Sequence, residues 1–193
     1  MSPMGRLMVL VPWAFGLGAV AVAWAWPWGL VLWIYLLPPA LHRLHGAFFP
    51  LREGAFRLVG PTYVPWWGSH QIQVVYIAFP AIEALLRLLG LYSPWLRLWG
   101  SRVGNGVYWT PIVEITDRSL LDIGDGVVVG HRVGFYAHAI APRKDNLSLV
   151  VKQIRVGAGA FLGAASALGP GVVVEPGAFL PVRTDLGPGR HAR

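Results

Sequence analysis

The sequence predicts an α-helical membrane domain over residues 1–102, followed by a left-handed parallel β-helix of about four coils over residues 103–193. Two observations carry this prediction. Residues 7–41 contain no charged side chain, which is typical of membrane-embedded helices. From Val156 onward an aliphatic residue recurs at every sixth position, a period that neither an α-helix nor a flat strand produces.

The six-residue period is regular through the last part of the chain. The residue after each aliphatic position is usually glycine, which suits a tight corner. In such a hexapeptide repeat, short strands turn by about 120° per hexad, so three hexads close one triangular coil with an aliphatic interior. The repeat positions are Val156, Leu162, Leu168, Val174, Leu180 and Leu186.

The same period extends upstream, with two interruptions. A slip of two residues occurs near Leu121. The period is lost over 141–155, where a proline and a charged run favour a loop that leaves the coil. The upstream repeat positions are Val103, Trp109, Ile115, Ile123, Val129 and Phe135.

The first part of the chain is predicted to enter a membrane. Hydrophobic residues make up 55% of the chain and charged residues 13%, which is more apolar than a typical soluble domain. One straight helix over 7–41 would be about 52 Å long, against a hydrocarbon core of about 30 Å. We therefore expect a helical hairpin over about 7–44 that turns at Pro27, among interface-favouring tryptophans. One tilted span plus an interfacial helix is the alternative.

Residues 72–98 are predicted to form a re-entrant or interfacial helix. Pro80 interrupts the apolar stretch, and Glu83 and Arg87 stand four residues apart among leucines, as on a helix at the membrane surface. This arrangement keeps the β-helix on the same side of the membrane as the N-terminus. A true third span would place it on the opposite side.

The charge distribution favours an inner-membrane location with a cytoplasmic β-helix domain. The formal net charge is +7, and residues 1–102 hold seven arginines against two glutamates. No basic stripe with interleaved aromatic residues appears in the β-helix, so we expect no nucleic-acid partner. The absence of cysteine excludes disulfides, thiolate metal sites and a cysteine nucleophile. Because His42, His45 and His70 lack neighbouring carboxylates apart from Glu53, we also expect no metal site.

The order of polar residues in the β-helix resembles a known family. Thr116-Asp117 is followed by Leu-Leu-Asp-Ile-Gly-Asp-Gly over 120–126, then by His138 beside the predicted loop, and then by Lys152. This order is similar to that of the hexapeptide-repeat acyltransferases. It resembles in particular a membrane-bound branch that includes the C-terminal region of poly-ε-lysine synthetase. The resemblance covers about the last half of the chain.

The resemblance implies an acyltransferase that uses a thioester donor, either acyl-CoA or an acyl carrier, and no tightly bound cofactor. His138 would be the general base, because an imidazole can accept a proton near neutral pH. Asp117 would orient it, and Glu114, Asp122 and Asp125 are the other candidate carboxylates. The hexad over 180–185 departs from the soluble enzymes, because it lacks their glycine after the aliphatic residue, so acetyl-CoA is not specifically implied. The residues implied in donor or acceptor binding are Gly163, Ala164, Val182, Arg183 and Lys152.

The resemblance also implies a homotrimer whose subunits cover apolar side chains on the coil faces, such as Val127, Phe161 and Phe179. A membrane lipid or another apolar molecule would be the acceptor. A non-catalytic membrane scaffold is the alternative function. A γ-type carbonic anhydrase is disfavoured, because it needs three zinc-binding histidines on adjacent coils and the coils offer only His131 and His138 before the tail residue His191.

Overall fold

The computed structural model describes residues 2–144 and 146–193, and in these it contains a helical half and a β-rich half. The helices are α1 (Pro3–Met8), α2 (Val11–Ala25), α3 (Gly29–Tyr35), α4 (Leu37–Phe48), α5 (Pro65–Ala78), α6 (Ala81–Leu88) and α7 (Tyr92–Trp99). The strands are β1 (Gly54–Arg57), β2 (Arg102–Val103), β3 (Tyr108–Trp109), β4 (Val113–Ile115), β5 (Leu121–Ile123), β6 (Val128–Val129), β7 (Val133–Phe135), β8 (His138–Arg143), β9 (Asn146–Val151), β10 (Ile154–Val156), β11 (Phe161–Leu162), β12 (Ala167–Leu168), β13 (Val173–Val174), β14 (Phe179–Leu180), β15 (Asp185–Leu186) and β16 (His191–Ala192).

Helices α2 and α3 fold against each other across a short break that contains Pro27. The Phe15 ring stacks on Trp33 at 6.0 Å, and Trp33 Nε1 donates to the Phe15 carbonyl at 3.1 Å. In the described part of the chain, one continuous segment, Pro3–Ala25, is long and apolar enough to cross a membrane, with 23 residues and a mean hydropathy of 2.0. Helices α5 and α6 qualify together if they form one broken span, bent by 78°.

Thirteen of the strands in the described residues form three parallel sheets, and this pairing confirms the predicted parallel β-helix. The sheets have the strand orders β2-β5-β10-β13-β16, β3-β6-β11-β14 and β4-β7-β12-β15. Successive strands therefore belong to successive sheets, and three strands complete a coil. The register stacks the predicted repeat positions, since Val103, Ile123, Val156 and Val174 are direct partners from one coil to the next.

The interior of the coils holds the predicted aliphatic residues. Of the twelve repeat positions, all are buried except Leu186 on the last coil, which is half-buried. The expectation that Val127 lies on an outer face is wrong, because its side chain is fully buried. It stands two residues before Val129, and alternate residues of a strand point to the same side.

The excursion from the β-helix is an antiparallel hairpin of β8 and β9 rather than an irregular loop. Its limits differ from the predicted 141–155, because pairing begins at His138 and the β-helix resumes at Ile154. Strand β1, from the helical half, pairs with the other edge of β9. Strand β9 is therefore the central strand, and β8 an edge strand, of a three-stranded sheet that joins the two halves.

The two halves also meet at a buried ion cluster. The Glu83 carboxylate accepts hydrogen bonds from Arg87, from the Tyr92 hydroxyl at 2.8 Å and from Arg118 of the β-helix. The side chains of Glu83 and Arg87, expected on the exposed face of a surface helix, are therefore buried inside the protein. Their four-residue spacing suits an exposed pair and a buried pair equally, and the sequence does not reveal the third member, Arg118.

Replacement of one interior residue of the coil should destabilise the β-helix strongly. Ile154 is fully buried in β10, and its change to alanine removes apolar contacts and leaves a cavity. We expect Ile154→Ala to lower the free energy of unfolding by about 2–5 kcal/mol. The measurement is chemical denaturation in detergent followed by circular dichroism. Arg155→Ala, at the neighbouring exposed position, is the control. A decrease of similar size in its free energy of unfolding would contradict this account of the interior.

Candidate functional site

The candidate site begins at the two-residue slip that interrupts the hexads. The corresponding segment, 116–120, connects β4 to β5 and bulges toward the helical half. It is held there from both sides, because the Arg118 backbone N–H donates to Gln73 Oε1 at 2.7 Å and Ser101 Oγ donates to the Arg118 carbonyl at 2.6 Å. Its second residue, Asp117, is thus fully buried at the junction of the two halves.

The Asp117 carboxylate is surrounded by three hydrogen-bond donors. Trp66 Nε1 donates to Oδ1 at 2.9 Å, and the Thr116 hydroxyl donates to Oδ2 at 2.8 Å. His138 Nδ1 lies 2.6 Å from the same Oδ2. The predicted pairing of His138 with Asp117 is therefore present, and it is a short contact of the kind formed by charge-assisted hydrogen bonds.

Burial alone would raise the pKa of Asp117, but the hydrogen bond and the charge of His138, with the bonds from Thr116 and Trp66, hold that pKa below its usual range. The carboxylate is consequently ionised at neutral pH. An ionised acceptor at Nδ1 keeps the proton on that nitrogen, so Nε2 is the ring nitrogen that can accept a proton. The His138 side chain retains 15% exposure, whereas Asp117 retains none.

Helix α5 covers the imidazole with aromatic rings. The Trp66 and His138 ring centroids are 4.5 Å apart, and His70 approaches His138 edge-on at 5.7 Å. His70 also stacks on Trp66 at 4.9 Å. The site is therefore composite: the β-helix supplies Asp117 and His138, and the helical half supplies the rings that limit their access to water. A carboxylate-oriented imidazole in such surroundings can act as a general base and then as a general acid.

The other predicted residues lie apart from this pair. The Lys152 backbone is near the His138–Asp117 pair, since its N–H donates to the Ala137 carbonyl at 2.9 Å. The Lys152 side chain, however, is exposed and runs past Gly171 of the next coil.

Gly163 and Ala164 lie at the corner between β11 and β12. Val182 and Arg183 stack on that corner from the next coil, where the Arg183 N–H donates to the Ala164 carbonyl at 2.9 Å. His131 occupies the same corner and is exposed. Within one chain, the sheet of β4, β7, β12 and β15 separates this corner from His138.

Three site residues were not predicted, namely Trp66, His70 and Thr116. Trp66 and His70 belong to the helical half, and no period or motif relates that part of the sequence to the coils. Thr116 stands out in the sequence only as the neighbour of Asp117. The two-residue slip is the available signal of this site, because an insertion in a regular coil must project from that coil.

The remaining acidic candidates have other partners: Glu114 accepts from Tyr136, Asp122 pairs with Arg102, and Asp125 accepts from the Asn105 backbone.

Comparison with known proteins gives structural similarities only. No protein-family model and no curated protein matches the chain. Two crystal structures of a hexapeptide-repeat-containing acetyltransferase from Vibrio cholerae are similar to it. The first, complexed with acetyl coenzyme A, has a TM-score of 0.38 and 20% identity, and the second has a TM-score of 0.36 and 21% identity.

These alignments cover 48% and 49% of this chain, and 54% and 61% of the Vibrio cholerae chains, so the chain matches little more than half their length. Soybean serine acetyltransferase, as the apoenzyme, aligns over 100% of this chain and 99% of its own, with a TM-score of 0.27 and 12% identity. The parallel β-helix of the present chain is established by its own strand pairing.

Removal of the indole donor should raise the pKa of Asp117. Trp66→Phe keeps an aromatic ring beside His138 but deletes the N–H that stabilises the ionised carboxylate. The measurement is an NMR titration of ¹³C-labelled aspartate side chains. The matched control is Trp67→Phe. The native Trp67 N–H donates to the Gly5 carbonyl at 3.1 Å, so its loss should leave the pKa of Asp117 unchanged. An Asp117 pKa that is the same in Trp66→Phe and the native protein would contradict the assigned hydrogen bond.

Proposed function

We propose that the chain is a membrane-anchored acyltransferase in which His138 is the general base. The observation that carries this proposal is the 2.6 Å contact between His138 Nδ1 and the buried Asp117 carboxylate, which leaves Nε2 for the substrate. The acceptor is a hydroxyl or amine of a lipid-linked or otherwise apolar molecule. The donor is a thioester, acyl-CoA or an acyl carrier, that binds as a substrate and leaves after reaction.

In the proposed reaction, Nε2 of His138 removes the proton from the acceptor as its oxygen or nitrogen attacks the thioester carbonyl carbon. The new carbon–oxygen or carbon–nitrogen bond forms, and the carbon–sulfur bond then breaks. The imidazolium returns its proton to the departing thiolate, so the thiol leaves and His138 is neutral again. Asp117 stabilises the imidazolium between these steps and fixes the ring through Nδ1, as carboxylates do for catalytic histidines.

The donor arm is proposed to lie along the groove between neighbouring β-helices of a homotrimer. The corner with Gly163, Ala164, Val182 and Arg183 is remote from His138 of its own chain, and a three-fold neighbour would bring a second copy of this corner to it. Apolar side chains on the sheet of β3, β6, β11 and β14 support such an assembly. They are Tyr108, Phe161 and Phe179, with exposures of 61%, 41% and 64%.

The anchor is proposed to be the helical hairpin over about 7–44, whose first arm lies in the apolar segment Pro3–Ala25, with the bent pair of α5 and α6 re-entrant or at the membrane surface. A β-helix folds without a membrane, so an anchor attached to one serves to present membrane-derived substrate to it. The direct contact of α5 with His138, through Trp66 and His70, supports delivery of an apolar acceptor from that side. The proposed location is the inner membrane, with the β-helix in the cytoplasm.

Loss of the imidazole should abolish most of the activity without unfolding the protein. We expect His138→Ala to lower the turnover of thioester substrates by roughly 10²- to 10⁴-fold, the usual contribution of positioned proton transfer. The measurement is thiol release from a series of acyl-CoA donors, with circular dichroism to check folding. His191→Ala is the control, because His191 is exposed on the last coil and belongs neither to the His138 pair nor to the proposed donor corner. Full activity of His138→Ala would remove the base assignment. If His138→Ala is catalytically inactive but still supports the cellular phenotype, the alternative function as a non-catalytic membrane scaffold is favoured.

Self-association should depend on the exposed aromatic face. The Phe161 and Phe179 rings stack at 5.4 Å on adjacent coils, and neither contributes to the coil interior. We expect the native protein to have a trimeric mass in mild detergent and Phe161→Arg/Phe179→Arg to be monomeric but folded, because desolvating two charges opposes association. Native mass spectrometry measures both. A monomeric native protein would count against the trimer.

Both chain ends should face the cytoplasm. Arg6 precedes the proposed hairpin, and a second basic group lies at and beyond its other end. That group is His42, Arg43, His45, Arg52 and Arg57. Because positive residues favour the cytoplasmic side of a membrane, both ends of the hairpin are expected there. We expect tags placed at the two ends to be inaccessible to an impermeant reagent in intact cells and reactive after permeabilisation. Labelling of one end alone in intact cells would show that α5 and α6 cross the membrane.

A further inference from the structure

An apolar cleft lies beside the first helix of the candidate membrane span. It has a volume of about 280 Å³ and is formed by the start of the chain, the segment after β1 and one residue of β9. Trp67 closes it on the side nearer the candidate site. The residues that define it are Ser2, Leu58, Val59, Tyr63, Trp67 and Leu147. Most of this lining is apolar, which suits a hydrocarbon chain rather than a sugar or nucleotide.

A basic cluster lies immediately next to this cleft. Arg57, Arg143 and Lys144 line a second, open depression of about 460 Å³ that shares Leu147 with the first. Strand pairing brings them together, since Arg57 is opposite Ser148 and Arg143 is opposite Asn146. All three side chains are exposed. Asp145 follows Lys144 in the sequence and lies outside the described residues, and with its full charge included the cluster still has a net charge of +2.

We infer that the apolar cleft and the basic cluster together form a binding site for one anionic phospholipid, with an acyl chain in the cleft and the phosphate on the cluster. The inference rests on the proposed membrane anchor, because it places the site at headgroup depth. Ser2 and Gly5 line the cleft at the end of the segment Pro3–Ala25, where a spanning helix reaches the interface. Basic residues at that depth attract anionic lipids, and arginine binds phosphate in a bidentate manner.

The site lies on the same hairpin as the proposed base. His138 begins β8 and Arg143 ends it, so the two are roughly 17 Å apart along an extended strand. On the cleft side, the Trp67 ring is 6.2 Å from His70, which in turn contacts His138. A lipid bound here would therefore hold the hairpin against the membrane surface with His138 at the hairpin's inner end.

The test compares two lipids that differ only in their headgroup. The full-length protein, purified in neutral detergent, is titrated with dioleoyl phosphatidylglycerol or dioleoyl phosphatidylcholine, and binding is followed by native mass spectrometry. We expect the anionic lipid to bind at least about tenfold more tightly, and Arg143→Gln/Lys144→Gln to lose this preference. Arg155→Gln/Arg190→Gln, exposed positions on the β-helix, is the charge-matched control and should keep it.

A second variant tests the apolar half of the site. Val59→Trp fills the cleft and should weaken the binding of both lipids while the headgroup preference of the residual binding remains. Equal affinity for the two lipids, or an unchanged preference in Arg143→Gln/Lys144→Gln, would overturn the inference. Inorganic phosphate that competes fully with the lipid at equal concentration would also overturn it, because the cleft would then contribute nothing.

The lipid measurement is independent of catalysis. His138→Ala should bind phosphatidylglycerol as the native protein does. If His138→Ala stays active while the lipid preference holds, the proposed base fails and the lipid site stands. If the preference is absent while His138→Ala is inactive, the lipid site fails and the acyltransferase proposal stands.

Discussion

The arrangement of the two halves depends on the buried Glu83 carboxylate. It accepts from Arg87 and Tyr92 of the helical half and from Arg118 of the β-helix, with almost no exposure of any of these groups. Breaking a buried pair of this kind typically costs about 3–5 kcal/mol, because an unpaired charge remains in the interior. Arg118 is therefore held firmly in place, and its neighbour Asp117 is positioned with it. The buried charges between the two halves thus control the geometry of the candidate site.

The helical half also contributes directly to the candidate site. Trp66 donates to Asp117, and the Trp66 and His70 rings pack on His138, so one helix contributes to both members of the central pair. The low polarity that these rings create strengthens the contact between the carboxylate and the imidazole. An isolated β-helix would hold Asp117 and His138 without this cover. The site accordingly belongs to the junction rather than to either half.

The sequence predicted the coils well, because a strict period of six is satisfied by only one arrangement of short strands. It also pointed to His138 and Asp117, through a resemblance to known enzymes. It did not predict β1, since Gly-Ala-Phe-Arg is too short and irregular to show alternation, and a strand of this kind is determined by its partner. The same limit applies to Trp66, His70 and the Glu83 cluster. Their roles depend on contacts between distant parts of the chain, which no local pattern records.

Strand β1 also has a consequence for the order of assembly. Gly54 pairs with Val151, so the three-stranded sheet closes only after almost a hundred residues of intervening chain have been made. During synthesis the N-terminal helices emerge first, and the edge of β1 has no partner until the hairpin arrives. The coils can stack locally, one hexad upon the next, without waiting for that event. We therefore expect a nascent chain to stack its first two coils, β2–β7, before the three-stranded sheet closes, and to complete the β-helix afterwards, because β10–β16 follow β9 in the chain.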